Sequence, residues 1–99
     1  MKYALVLSES DNVANVVDDV LPGDVVVCRC NDKETIVTAA EKIPFFFKIA
    51  VKDIPAGSVI VKHGEAIGKA SADIAAGACV HVHNAKGDRG RGDRGGSNS

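Results

Sequence analysis

Apolar positions in this chain form short runs rich in Val and Ile, each cut off by a cluster of Asp, Gly, Pro, Ser or Asn. No run keeps a helical period for long, and the β-branched content suits a pleated, half-buried surface. The pattern predicts strands over 2–7, 12–17, 25–29, 35–38, 46–52, 58–62 and 78–83, with a further extended piece over 65–70. The best helix signal is 38–42, which Pro44 stops after about one turn. The expected fold is therefore all-β, a small domain of short strands with at most a short helical turn.

One motif recurs three times, over 19–26, 53–60 and 73–80: Asp, then Val or Ile, two residues, Gly, and an apolar strand start. Each copy reads as a turn. Proline in two copies is expected at the turn's second position, glycine supplies a positive φ, and the Asp carboxylate can accept backbone N–H groups.

Composition changes the picture at the C-terminus. The 99 residues are 45% hydrophobic and 25% charged with a net charge of −1, as in an ordinary globular protein. Residues 86–99 hold half of the ten glycines and no large apolar side chain, and they carry arginine throughout. Such a segment cannot offset the entropy of ordering, so the folded unit is expected over 1–85 with a disordered Gly/Arg-rich tail over 86–99. The tail's small positive charge argues for a solvated linker over nucleic-acid binding. No stretch has the ~20 apolar residues of a membrane span, and a cytoplasmic location is expected. Cys28, Cys30 and Cys79 form no paired framework and read as small core hydrophobes.

Candidate chemistry gathers near the end of the domain. In the run Cys79-Val80-His81-Val82-His83, alternation sends the valines to one face and both imidazoles to the other. Such a pair can share a divalent transition metal or donate hydrogen bonds to a carboxylate, or be simply a solvated edge. His63 and Glu65, in a turn with two glycines, are further candidates for metal or substrate binding, with a plain backbone bend as the alternative. The run Phe45-Phe46-Phe47 is a candidate docking edge for a partner, because adjacent aromatic residues cannot all face one core.

The segments Asn12-Val13-Ala14, Lys48-Ile49-Ala50-Val51-Lys52-Asp53-Ile54, the run from Gly57 to Gly68, and His81-Val82-His83-Asn84 together resemble the SAF-type small domain of the altronate and galactarate dehydratase family. The resemblance spans nearly all of 3–84 and extends to the small subunit of sulfolactate sulfo-lyase. It implies a β-clip fold and a role as the small subunit of a lyase that dehydrates a sugar acid, completing the site of a larger catalytic subunit. The sulfo-lyase subunit and a non-catalytic binding or assembly module are the alternatives. It also implies a divalent metal, Fe²⁺ or Mn²⁺, a large dehydratase subunit and a small hydroxy-acid substrate as partners, with a homo-oligomer open. By resemblance, His81 and His83 are the domain's contribution to metal or substrate binding, with His63 and Glu65 nearby. Relatives commonly carry Gly-His-Lys where this chain has Phe46-Phe47-Lys48, so an expected histidine is here a phenylalanine.

Overall fold

The computed structural model describes residues 1–81 and the backbone of 85–87. Nine strands are formed: β1 (Lys2–Leu5), β2 (Val13–Val16), β3 (Val25–Cys30), β4 (Lys33–Thr38), β5 (Lys48–Ala50), β6 (Val59–Lys62), β7 (Glu65–Ala70), β8 (Cys79–Val80) and β9 (Ala85–Gly87). The described residues contain no helix. The segment 38–42, expected as a helical turn, instead ends β4 and enters a bend, because the Ala39 and Ala40 amides donate to the Asp24 and Gly77 carbonyls of neighbouring segments. β9 pairs with β7 from Ala70↔Ala85 to Gly68↔Gly87. No described helix is long and apolar enough to cross a membrane.

The strands form two sheets, one of six in the order β4-β3-β1-β2-β5-β8 and one of three in the order β6-β7-β9. Pairing is antiparallel except between β1 and β3. β2, β5 and β8 are buried on both faces. On one side, Ala14, Ile49 and Cys79 join Val16, Val20, Val26 and Ile43 in the larger core. On the other, Val13, Ala50 and Val80 meet Ile54, Ile60, Ala70 and Ile74 beneath the smaller sheet. Each fully buried Val or Ile contributes about 1.5–3 kcal/mol, so these short strands are held by packing on both faces.

The Asp-Gly motifs make a repeated joint. In each copy a residue of positive φ, Gly23, Gly57 or Gly77, is third in a four-residue turn closed by an i to i+3 hydrogen bond. Its amide donates to the carbonyl of a buried alanine, Ala39, Ala70 or Ala50 respectively, at 2.8 Å. Pro22 holds the second position as expected, whereas Pro55 opens its turn, with its carbonyl accepting from Ser58. Two of these turns face each other. Ile54 and Ile74 exchange backbone hydrogen bonds, Asp53 accepts from the Ala76 amide at 2.9 Å, and Asp73 accepts from the Ala56 amide at 2.8 Å. The aspartates thus join one turn to another.

A fourth copy of the joint lies at 42–49, where Lys42 replaces the aspartate and Phe46 replaces the glycine. Ile43 exchanges backbone hydrogen bonds with Val20, Asp19 accepts from the Phe45 amide at 2.9 Å, and the Phe46 amide donates to the Val16 carbonyl at 3.0 Å. Phe46 carries a φ of +69°, a conformation that costs a residue with a Cβ about 1–2 kcal/mol.

Candidate functional site

The site expected from the sequence lies around the β5–β8 edge and the β6–β7 hairpin. Lys48 of β5 sits opposite Val80 of β8, which brings the flanking residues Phe47 and His81 side by side. Their rings lie 4.4 Å apart between centroids at a tilt of 31°. Phe47 packs against the larger core, and the exposed His81 imidazole lies against it.

The other two phenylalanines point away from the core. Phe45 and Phe46 are half or more exposed and stack on each other, with centroids 4.1 Å apart. The positive φ of Phe46 turns successive side chains outward, leaving an apolar pair on the surface beside the β5–β8 edge.

His63 and Gly64 form the tip of the β6–β7 hairpin, both at positive φ, as a tight two-residue turn requires. His63 is exposed, and Glu65 is exposed opposite Lys62. The hairpin is held from below by Asp11, the buried acid among the described residues. Its Oδ2 accepts from the amides of Leu7 (3.2 Å), Ser8 (3.1 Å) and His63 (2.9 Å), and its Oδ1 accepts from Gly64 at 2.8 Å. Burial alone would raise the Asp11 pKa, but these four backbone donors outweigh it and leave the carboxyl below its ordinary range. Asn12 extends the clamp, accepting from the Val61 amide at 2.8 Å and donating to the Val59 carbonyl at 2.9 Å. The sequence does not mark Asp11 as a site residue, since His63 and Gly64 are reached only through folding across the chain, and Leu7 and Ser8 through a local loop that has no motif.

Two lysines were also missed. Lys48 and Lys62 are both half-buried; burial, and then the positive charge of Lys62, push the Lys48 ammonium below its ordinary pKa range. Lys48 is the lone charge inside an apolar run from Ile43 to Val51, which was a visible signal.

Among the described residues, no three His, Cys, Asp or Glu side chains gather in a way that could hold a metal ion. His63 and Glu65 belong to the hairpin and His81 to the β8 edge, while His83 lies outside the described residues.

The family model of the altronate/galactarate dehydratase SAF domain matches residues 2–88. The chain belongs to this SAF-domain family. The domain is 41% identical over 76 residues to an altronate dehydratase of Escherichia coli, covering 77% of this chain and 14% of that protein. It is 34% identical over 86 residues to an altronate dehydratase of Bacillus subtilis, covering 87% of this chain and 16% of that protein. It is also 42% identical over 60 residues to the (2R)-sulfolactate sulfo-lyase subunit alpha of Paracoccus pantotrophus, covering 61% of this chain and 90% of that subunit. The chain thus spans about one-seventh of the altronate dehydratases but most of the sulfo-lyase subunit. The two-sheet all-β architecture accords with the SAF-type fold expected from the sequence.

Proposed function

We propose that this SAF domain is the small part of a lyase that removes water from a sugar acid such as altronate or galactarate, and that it completes the site of a larger catalytic subunit. The observation that carries this reading is the family match over 2–88 together with relatives in which the same module is a small fraction of a dehydratase. Geometry supports a shared site. Of the described candidates, His63, Glu65, His81, Phe45 and Phe46 are exposed.

The reaction removes a proton from the carbon next to a carboxylate and expels the hydroxyl from the neighbouring carbon. That proton is weakly acidic, so the carboxylate must be held and its developing charge stabilised. His81 can hold a ligand carboxylate through a ring N–H, while Phe47 beneath it restricts the imidazole's orientation. The stacked Phe45–Phe46 pair provides the apolar edge on which the larger subunit docks.

A second reading, loss of sulfite from sulfolactate, is favoured by the 90% coverage of the sulfo-lyase subunit. Purifying the chain with and without a large lyase subunit, and assaying altronate, galactarate and sulfolactate in parallel, separates the readings. A gain with the partner on a sugar acid is the expected result. A gain on sulfolactate alone selects the second reading, and no gain with any large subunit overturns both in favour of a non-catalytic module.

A further inference from the structure

The larger sheet is shut at one end and open at the other. Where β4 ends, the Ala40 amide donates to the Gly77 carbonyl at 2.9 Å, and Gly77 lies so close to the Thr38 carbonyl that a Cβ would have no room. Where β4 begins, a cavity of about 280 Å³ opens between the β3–β4 hairpin, the loop after β1 and the segment after β5. Its floor is apolar. Cys28 belongs to the larger core, Val6 and Val51 pack against that core, and the buried Cys30 completes the surface.

The polar groups on the cavity's walls divide into engaged and unengaged. Glu9 and Lys33 pair with each other at 3.1 Å, and the Asp11 carboxylate is occupied by its four backbone amides. The Lys52 ammonium and the Thr35 hydroxyl, by contrast, have no side-chain hydrogen bond or ion pair among the described residues. A ligand that fits must offer hydrocarbon to the floor, a negative charge to Lys52 and an oxygen to Thr35. A cavity of about 150 Å³ holds benzene, so this one has room for a body of that size with a carboxylate attached. A polyhydroxylated acid does not suit it, because hydroxyls set against Val6 and Val51 would lose their hydrogen bonds to water.

We propose that this cavity binds a small monocarboxylic acid with an apolar body, its carboxylate held by Lys52 and Thr35 and its hydrocarbon seated on Val6, Cys28, Cys30 and Val51. Neither Phe47 nor His81 lines the cavity. Its ligand is of a different class from the sugar acid proposed above, so the site does not rest on the lyase reading.

The test is ¹H–¹⁵N NMR of the full chain titrated with sodium hexanoate at constant ionic strength. Sodium acetate supplies the head alone, 1-hexanol a body without charge, and galactarate a polyhydroxylated acid. The expected result is a saturable movement of the Cys28, Cys30, Thr35 and Val51 amides with hexanoate in the millimolar range, while Ile54 and Ile74 stay still. Acetate and galactarate should move none of them, and hexanol should move the same amides with about tenfold lower affinity. Lys52→Gln, a change at an exposed side chain, should weaken hexanoate about tenfold, the loss of one charge-assisted hydrogen bond, and leave hexanol unchanged. Thr35→Val should weaken hexanoate about fivefold. The amide spectra report that both variants are folded. No saturable movement with hexanoate, equal movement with acetate or galactarate, or hexanoate affinity unchanged by Lys52→Gln overturns the site.

Discussion

Phe46 occupies in its turn the position that Gly57 occupies in an equivalent one: φ is +69° and +85°, and each amide donates to a carbonyl on a neighbouring strand, Val16 and Ala70 respectively. Glycine reaches this region without steric cost, whereas phenylalanine does not. The strain is spent at a residue that is 61% exposed, so core packing does not repay it.

That relationship separates ring from backbone. Phe46→Gly and Phe46→Ala both remove the ring, but only the first relieves the positive φ. Urea unfolding should find the glycine variant more stable than the alanine variant by about 1 kcal/mol. Equal stabilities would show that the turn relaxes without strain. Both variants should lose assembly with a large subunit if the Phe45–Phe46 stack is the docking edge.

The glycine turns are unequal in another respect. A Cβ on Gly57 would meet nothing within 4 Å, so Gly57→Ala should cost about 1 kcal/mol from the backbone alone. A Cβ on Gly77 would lie 2.0 Å from the Thr38 carbonyl oxygen, a rigid backbone atom. Gly77→Ala should therefore cost more than about 4 kcal/mol, or prevent folding. Thermal melts of the two variants check the order.

Asp11 should make stability depend on acid. Its folded pKa lies below the ordinary value of 3.8, so its contribution is complete above that pH and is lost as pH falls towards the folded value. Asp11→Asn should lack this part of the acid transition. At neutral pH it should also be less stable by about 2–3 kcal/mol, because either amide orientation sets an NH₂ group against a backbone N–H. Urea midpoints measured from pH 7 down to pH 3 test both statements. A variant whose midpoint falls in parallel with that of the parent would locate the acid sensitivity elsewhere.

The cysteines should be inert while the protein is folded. All three are buried, and burial pushes the Cys28 thiol up from 9.0 to about 11. At pH 8 only about one Cys28 in a thousand is thiolate, far below an exposed cysteine. Reaction with a thiol-specific disulfide reagent should follow the unfolding rate and speed up sharply in denaturant. The raised pKa also means that stability is intact below pH 9 and falls as pH climbs towards about 11. Rapid labelling of Cys28 in the native protein would contradict its burial.

Most strand positions were legible because short β-branched runs between turn residues have few other ways to bury their side chains. Glycine punctuation likewise announced three of the four joints. The fourth was hidden because Lys42 and Phe46 replace both signature residues, and only its backbone hydrogen bonds show the equivalence. Alternation, expected for the run from Cys79, does not hold at β8, and neighbours are buried together at β2 and β5 too: Cys79 beside Val80, Val13 beside Ala14 and Ile49 beside Ala50. A sheet covered on both sides has no alternation for a sequence to display.

The same division runs through the candidate site. His81, His63, Glu65 and the phenylalanine run could be picked out as residue types suited to binding or docking, because their chemistry is carried by the side chain alone. Chain crossing brought Phe47 against His81, and Asp11 beneath the His63–Gly64 hairpin tip. Those pairings depend on strand register and on the angle between two sheets, which are set by the packing of the whole domain. Local pattern names the groups that can act; the packed cores choose which of them meet.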